Sequence, residues 1–493
     1  MKSPAPVATT EDHDARELQQ FGYQPQLRRS MGHFSSFAVA FSLISVFTGV
    51  FANFGHGLRQ VGGALVWSWL LVLAGQMLVA LVLAELSTRF PLSGYGYQWT
   101  SRLVNPHFGF FVGWLLALQF LTGFPGVCAT LAAQIGTWLG GSWAGPSGVR
   151  SLTLGVIAIT ALVHLFGIRL ASRVNNVGVW TELLGVAALS VVLIGIALAR
   201  HASSAMLVNS TNAAATQPAG FGAWALSLLV GAWCLTGFEA AADLAEETRQ
   251  PRRVVPRAIL LSLLCSGIAG LLLLIGVMLA ITDLAAAQQA ENPLLHTLQA
   301  SLGAAGMTSV LAVVGISVFA CGLASMAATS RLIFAMARDR MLPGSRWLAF
   351  VAEGHRTPRN AILFIWAVSS AVVLVLPSLD IITQISAVAG YLGYAGIIIA
   401  ALRCHTTTVT EDFRLGAARR WIGRAALVWV LGLVTALTVP STPLAGIQTQ
   451  HLPALSTALG IAVGLVLYLG VIRRRLVRGE AGPPTTPTDV RHV

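Results

Sequence analysis

The stretch that decides the fold is residues 34–58, which read FSSFAVAFSLISVFTGVFANFGHGL and contain no charged side chain. A helix needs about 20 apolar residues to cross the hydrocarbon core of a bilayer, and only helices or closed barrels satisfy their backbone hydrogen bonds there. Apolar and polar residues do not alternate with a period of two in this stretch, so it favours a helix over a barrel strand. The stretch therefore predicts a transmembrane helix.

Similar apolar stretches follow one another along the chain, separated by short connectors. The chain is 55% hydrophobic and only 10% charged, with a mean hydropathy of +0.73, which is typical of membrane proteins and not of soluble domains. The sequence predicts an all-α integral membrane protein with twelve transmembrane helices. The predicted spans are 34–58, 64–86, 108–139, 150–168, 177–199, 222–245, 257–282, 305–337, 360–377, 381–402, 422–439 and 453–472.

Positive charge falls almost entirely in every second connector. Of the 31 Lys and Arg residues, only Arg59, Arg150 and Arg200 lie on one face of the predicted membrane. The face rich in Lys and Arg is the cytoplasmic one, and an even number of spans puts both termini on the same face. The sequence therefore predicts a multi-pass protein of the cytoplasmic (plasma) membrane with both termini inside, and no cleavable secretion signal.

Charge and cysteine content exclude several partners. The net charge of +12 is explained by inner arginines that face anionic lipid head groups, so we expect the lipid bilayer and no nucleic acid as a partner. Four cysteines, Cys128, Cys234, Cys265 and Cys321, lie inside predicted spans, and Cys404 lies at an inner helix end. Since none lies in an external loop, we expect no disulfide-linked subunit.

The residue pattern argues against an enzyme. A membrane-embedded enzyme needs converging nucleophilic or metal-ligating side chains, but the chain has no His-Glu-x-x-His motif, and His56, His164 and His296 share no ligand spacing. We expect no catalytic activity, no metal and no cofactor. A channel or receptor is also helical and is the distant alternative, although no selectivity-filter motif or extracellular ligand-binding domain is present.

Two spans are interrupted by small and polar residues at half depth. The first carries SVFTGVFANFG at residues 45–55, and the sixth carries GAWCLTGFEA at residues 231–240. Breaks at corresponding positions of two halves indicate the binding site of a transporter, because an interrupted helix exposes free N–H and C=O groups. The alternative is that these glycines only allow close helix packing.

Several motifs lie in order along the chain near helix ends. They are TGFE at 236–239, LAEET at 244–248, QPRRVVPRAI at 250–259, AELSTRFPLSG at 84–94, and SRLIFAMARD at 330–339 followed by Leu342-Pro343. Together they resemble the motifs of the amino acid–polyamine–organocation (APC) superfamily of permeases. The opening segment, with FGY at 21–23, LRRS at 27–30, FSSFA at 34–38 and FTG at 47–49, is similar to the amino acid/choline transporter branch.

The resemblance covers residues 20–475 and implies a LeuT-like fold, in which a 5+5 inverted repeat is followed by two C-terminal helices. The domains expected from it are a cytoplasmic N-terminal arm (1–33), a first five-helix repeat (34–199), an external loop (200–220), a second five-helix repeat (221–403), helices 11–12 (404–475) and a cytoplasmic tail (476–493).

The resemblance also assigns the substrate-binding residues. It implies that Ser45, Thr48 and Gly49 belong to an unwound stretch whose backbone holds the substrate carboxylate. It also implies that Trp233 covers the substrate and that Thr236 and Gly237 lie where the chain unwinds to face its amine. An aromatic face attracts an ammonium group, although a tryptophan also serves as an interfacial anchor. Two polar residues of the third span are further candidates, with bonding to a neighbouring helix as the alternative: Gln119 and Thr122.

Acidic residues within the spans are candidates for coupling and gating. Glu239, Asp243, Glu246 and Glu247 have a spacing that places them on one helix face, with Glu239 the deepest. We interpret Glu246 and Glu247 as inner-gate or solvated charges that pair with Arg89 or Arg331. Glu182 is a second buried acid, with a structural carboxyl near the inner helix end as the alternative.

The coupling ion is the least determined property. In sodium-driven relatives of this fold, hydroxyls on the eighth helix help to form the sodium site. The resemblance therefore makes Ser325 and Thr329, on the eighth span, candidates for a cation site. The sequence predicts a secondary active transporter that takes up amino acids or related amines by alternating access, coupled to protons. Substrate exchange, or a sodium-coupled permease for choline, γ-aminobutyrate or polyamine, is the alternative.

Overall fold

The computed structural model describes residues 18–27, 29–166, 168–213, 219–352, 357–376, 378–403, 413–438 and 452–484. The first 17 residues of the predicted arm, Cys404 and the end of the predicted tail lie outside these ranges. No β-strand occurs in the described ranges. Their helices are α1 His33–Ile44, α2 Val46–Val61, α3 Leu65–Arg89, α4 Tyr95–Leu103, α5 Pro106–Leu139, α6 Pro146–Leu165, α7 Ile168–Ala199, α8 Phe221–Ser227, α9 Leu229–Cys234, α10 Ala240–Asp243, α11 Pro251–Ala280, α12 Leu284–Gln289, α13 Pro293–Arg338, α14 Ser345–Leu348, α15 Arg359–Val375, α16 Leu379–Arg403, α17 Arg419–Thr438, α18 Leu452–Leu467 and α19 Arg473–Val477.

Nine helical segments of the described chain are long and apolar enough to cross a membrane. The first, His33–Arg89, has 57 residues, more than one crossing requires. Two shorter apolar helices, Phe221–Cys234 and Arg359–Val375, complete the set. The prediction of an all-helical membrane protein is confirmed, whereas the count of twelve crossings stays a prediction.

Apolar side chains cover the outer surface of several of these segments. Leu184 and Val191 on α7, Val428 on α17 and Val466 on α18 are each about two-thirds or more exposed. Exposed apolar residues on several helices are costly in water and favourable in lipid. The arrangement is that of a helical bundle whose outer face contacts the bilayer.

The break in the first span is confined to Ser45. This residue adopts φ 32° and ψ 97°, and it ends α1 and caps α2. Its hydroxyl accepts hydrogen bonds from the backbone N–H of Thr48 (3.2 Å) and from the Thr48 hydroxyl (2.7 Å). The expectation that Thr48 and Gly49 are also unwound is wrong, because this cap lets the helix restart at Val46 and continue through both residues.

The break in the sixth span is wider. Helix α9 ends at Cys234, and α10 begins only at Ala240. Gly237 has φ 103°, a conformation that side-chain-bearing residues rarely adopt. The inner half of this span is short, since α10 ends at Asp243 and residues Ala245–Glu247 form a 3₁₀ turn.

The two breaks cross in direct contact. A Cβ atom on Gly49 would overlap the Cβ and Sγ atoms of Cys234, and a Cβ on Gly237 would lie 2.8 Å from Cγ of Leu43. The two glycines therefore allow the interrupted backbones to approach more closely than any other residue would permit. Close packing and helix interruption, which the sequence left as alternatives, occur together here.

Candidate functional site

A small cavity lies where the two breaks cross. It has a volume of about 40 Å³, enough for two or three water molecules. Helices α1, α2, α5, α9, α13 and α16 and the break at 235–239 form its walls. The lining residues are Leu43, Ile44, Thr48, Gln119, Phe120, Gly123, Val127, Trp233, Cys234, Thr236, Gly237, Cys321, Ser325 and Ser386.

Most of the predicted substrate-binding residues surround this cavity. Thr48, Gln119, Trp233, Thr236 and Gly237 line it directly. The predicted residues outside the lining are Ser45 and Gly49, which are buried behind it, and Thr122, whose hydroxyl donates to the Leu118 carbonyl of its own helix at 2.7 Å.

The structure adds residues that the sequence reasoning missed. Cys321 and Ser386 line the cavity, and Ser386 donates a hydrogen bond to the Gln119 carbonyl at 2.9 Å. Gln76 donates to the Leu235 carbonyl at 2.8 Å, and Tyr391 donates to the Ala232 carbonyl at 3.1 Å. These bonds satisfy carbonyls beside the break of the sixth span. The signal in the sequence was a polar residue inside an apolar span.

Trp233 lies in the cavity wall, and only 7% of its surface is exposed. Its position at the end of α9, beside the interruption, is far from an interfacial anchor. The indole therefore borders the cavity. This geometry favours the pocket interpretation over the anchoring alternative.

Glu239 lies beside the cavity and is completely buried. Its Oε1 accepts a hydrogen bond from Nε2 of Gln119 (3.1 Å), and its Oε2 accepts one from the N–H of Gly237 (2.9 Å). The carboxylate thus connects the break of the sixth span to a cavity-lining residue of α5. A change in the charge of Glu239 would act directly on two residues of the cavity wall.

Glu182 of α7 reaches the break of the first span. It is 1% exposed, and its Oε1 accepts a hydrogen bond from the backbone N–H of Phe47 at 3.3 Å. Phe47 lies in the first turn of α2, where N–H groups have no partner within the helix. The Glu182 carboxyl therefore caps the N-terminal end of α2, and it lies in the middle of α7 instead of near a helix end.

The acids of the inner half of the sixth span point to different partners. Glu246 pairs with Arg338 through two contacts of 3.0 Å, and Glu247 pairs with Arg331 at 2.7 Å. The single helix face expected for these acids is not formed, because the helix ends at Asp243. The predicted Glu247–Arg331 pair is present.

Arg89 is placed differently from the expectation. Its Nη2 lies 3.1 Å from Glu85, one turn earlier on α3. Glu85 also contacts Nε of Arg419 at 3.3 Å, which links α3 to α17. The geometry therefore connects Arg89 with an acid of its own helix.

The candidate cation residues lie on one side of α13. Ser325 lines the cavity, while the buried hydroxyl of Thr329 donates to the Ser325 carbonyl at 2.6 Å. No cluster of three or more His, Cys, Asp or Glu residues that would hold a metal occurs in the part of the chain that the structure describes.

An N-terminal segment, residues 18–27 and 29–31, covers the same end of the bundle as the acid–arginine pairs. The Tyr23 hydroxyl lies 2.9 Å from both carboxylate oxygens of Asp339, and the Arg338 guanidinium stacks on the Tyr23 ring at 3.8 Å. Burial raises the pKa of Asp339, whereas Arg338 and the hydrogen-bond donors around it oppose that rise. Backbone bonds from Ser30 and Met31 to the Glu247 carbonyl (both 3.0 Å) extend the contact to the sixth span.

Comparison with known proteins shows which family the sequence matches. The amino acid permease family profile matches residues 31–465. The chain is 26% identical to the amino-acid permease BAT1 of Arabidopsis thaliana, over 92% of this chain and 93% of that protein. It is 29% identical to the branched-chain amino acid permease BcaP of Bacillus subtilis, over 72% and 76%, and 26% identical to the thiamine transporter thi9 of Schizosaccharomyces pombe, over 86% and 79%.

Proposed function

The chain belongs to the amino acid permease family, and from this membership we propose that it is a secondary active transporter that moves amino acids across the cytoplasmic membrane by alternating access. Its homologues are permeases and not enzymes. The observation that carries the mechanism is the crossing of two interrupted helices at Gly49 and Cys234, beside a cavity lined by Trp233 and Gln119. The proposed fold around it is a LeuT-like 5+5 inverted repeat of residues 34–199 and 221–403 with two further helices.

The cavity would enlarge to take its substrate. An amino acid is larger than two or three water molecules, so it does not fit the cavity at its present volume. The substrate carboxylate would bind near the capped start of α2 at Ser45 and Thr48, where the helix dipole favours an anion. The ammonium would face Trp233 and the open backbone at Thr236 and Gly237.

Coupling to protons is the second part of the proposal. Glu239 and Glu182 each touch one of the two breaks, so gain or loss of a proton on either carboxyl would change the local field at the substrate. The proposed roles differ, because Glu239 bonds to the cavity-lining Gln119, while Glu182 caps the helix that would hold the carboxylate.

The ion pairs at the inner end of the sixth span would form a gate. Glu246–Arg338 and Glu247–Arg331 each join this span to α13, and both are largely excluded from solvent. We place this end, and both termini, on the cytoplasmic side because of the distribution of Lys and Arg. The gate is closed in this arrangement.

Reconstituted protein tests the proposal directly. Proteoliposomes would be given labelled branched-chain and other amino acids, γ-aminobutyrate, choline and thiamine, with and without imposed proton or sodium gradients. We expect amino acid uptake driven by a proton gradient. Loss of the indole in Trp233→Leu should raise the half-saturation concentration about two- to thirtyfold, whereas the lipid-facing Trp366→Leu should have no effect. Absence of both uptake and thermal stabilisation across the panel would refute the proposal.

Orientation is tested by accessibility to a membrane-impermeant thiol reagent on intact cells. Single cysteines at the exposed positions Ser203 and Arg346 should respond oppositely, with labelling of Ser203→Cys alone. Labelling of Arg346→Cys alone would reverse the orientation.

The match to a thiamine transporter supports organic amines as a second substrate class. Thiamine and choline are cations without a carboxylate, so they would depend on Trp233 and not on the start of α2. Uptake of these compounds in place of amino acids would favour this second candidate.

A further inference from the structure

A second cavity lies next to the central one, toward the end of the bundle that carries the Glu246–Arg338 and Glu247–Arg331 pairs. It has a volume of about 280 Å³, close to the lower end of the range for small-molecule sites. Its walls come from the segment before α1, from α1, α6, α7 and α13, and from Leu244 of the sixth span. The residues that matter below are Ser35, Val39, His164, Arg173, Asn175 and Asn176.

The two cavities share walls on the same helices. On α1, Leu43 lines the central cavity and Val39 lines the second cavity. These two residues are four positions apart, which corresponds to about 6 Å along the helix axis. On α13, Ser325 and Ala324 are adjacent residues that line one cavity each. The two cavities therefore lie about one helical turn apart along α1 and next to each other along α13.

The second cavity has the polarity of an anion site. It carries the guanidinium of Arg173, the amides of Asn175 and Asn176, and the hydroxyl of Ser35. Among the described residues, no acidic side chain lines it. Guanidinium and amide N–H groups are strong donors to carboxylates.

Asn175 contributes an unsatisfied polar side chain to this cavity. Its side chain is 4% exposed and lines the cavity, yet neither Oδ1 nor Nδ2 has a hydrogen-bond partner among the described residues. A buried amide without partners costs about 1–3 kcal/mol, so such a group is normally satisfied by something in the cavity. On the opposite wall, Nε2 of His164 is bonded to the Leu323 carbonyl at 2.9 Å, which fixes the ring and joins α6 to α13.

We propose that this second cavity, which we call the inner site, is a transient binding site for the carboxylate of the transported amino acid between the central cavity and the cytoplasm. This inference rests on the proposed transport function. Arg173 supplies the charge at the open rim, where it is exposed, and Asn175 supplies a buried donor deeper inside. The inner site binds the substrate carboxylate after the carboxylate has left the start of α2. The carboxylate therefore has hydrogen-bond donors on its way from the central cavity to the cytoplasm.

The first test measures the charge preference of the inner site without any substrate. In detergent-purified chain with Cys265 and Cys404 replaced by serine, Ser35→Cys should react about tenfold faster with an anionic methanethiosulfonate reagent than with a cationic one. Arg173→Gln and Asn175→Leu should each reduce this preference, while Arg257→Gln, which removes an exposed charge outside the inner site, should leave it unchanged. The proposal would be overturned if the two reagents reacted at equal rates. It would also be overturned if neither Arg173→Gln nor Asn175→Leu changed the preference for the anionic reagent.

The second test identifies the ligand. Amino acids that are transported should protect Ser35→Cys from the reagent, and Asn175→Leu should raise the protecting concentration about tenfold. Replacing an unsatisfied amide by leucine is not expected to impair folding. Protection by anionic phospholipid and not by amino acids would overturn the proposal in favour of a lipid head group. Protection by amino acids without measurable uptake would support the inner site and count against the transport function alone.

Discussion

The contact between the two breaks yields the sharpest prediction, which concerns Gly49→Ala. A Cβ built on Gly49 would overlap the Cβ and Sγ atoms of Cys234 and lie 2.9 Å from its Cα. Real Cβ atoms essentially never approach another heavy atom below 3.0 Å. The crossing helices must therefore move apart, because backbone atoms of α9 cannot rotate away as a flexible side chain would.

The expected cost follows from this overlap. Inserting one methyl group into a well-packed interior costs about 1–3 kcal/mol, and the better helix propensity of alanine returns about 0.5–1 kcal/mol. If the net cost, about 0–2.5 kcal/mol, applies only to the arrangement in which the breaks are crossed, the population of that arrangement falls up to about seventyfold. A net cost of about 1 kcal/mol, near the middle of this range, corresponds to about fivefold, so we expect Gly49→Ala to lower the initial uptake rate in proteoliposomes about fivefold and to reduce thermal stability in detergent.

Two further variants isolate the cause. Gly195→Ala is the matched control and should behave like the wild type, since Gly195 lies on the lipid-facing side of α7 and a methyl group added there would have no atom within 4 Å. Cys234→Gly removes the Cβ and Sγ atoms that the new methyl would overlap and leaves only the contact with Cα of residue 234, so it should restore much of the uptake to the Gly49→Ala chain. Wild-type uptake and stability in Gly49→Ala alone would refute the close crossing of the two breaks.

Three other predictions concern the buried charges. Glu239→Gln keeps the shape and one acceptor of the side chain but cannot titrate, so uptake should lose its dependence on pH between about 5 and 8 while substrate binding survives; an unchanged pH profile would reduce Glu239 to a packing residue. Arg331→Gln leaves Glu247 buried without its partner and should lower the free energy of unfolding by about 3–5 kcal/mol, and adding Glu247→Gln should recover much of it; equal stability of the single and double variants would contradict the pair. Tyr23→Phe removes a hydrogen-bond donor to Asp339 at 2.9 Å, so protease should cleave the N-terminal segment faster while the global stability stays unchanged. Equal digestion rates of Tyr23→Phe and the wild type would argue that this bond does not hold the segment to the bundle.

The sequence by itself determined the class of structure and the family. Long apolar runs must become helices in a bilayer, because lipid offers no partner to backbone N–H and C=O groups. That constraint acts on each segment alone, so the helical fold followed from composition and run length. The motifs at 84–94, 236–259 and 330–339 are also local patterns, and they can be recognised without knowledge of the fold. For this reason they indicated the permease family from the sequence alone.

The sequence also located the two interruptions, but it did not determine their extent. Thr48 and Gly49 are poor helix formers, and their pairing suggested an unwound stretch; the hydroxyl of Ser45 caps α2 and keeps both residues helical. Residue propensities describe the average environment of a residue, whereas a single capping bond decides the local backbone.

Only the tertiary structure decided which side chains meet. Glu182 is 135 residues away from Phe47 along the chain, and the ion-pair partners Glu246 and Arg338 are 92 residues apart. Such contacts depend on the angles and distances at which helices pack, and these are collective properties of all the interfaces in the bundle. For this reason the sequence predicted the acids and bases but not all of their partners, and the unsatisfied amide of Asn175 in the inner site became visible only once α1, α6, α7 and α13 were assembled around it.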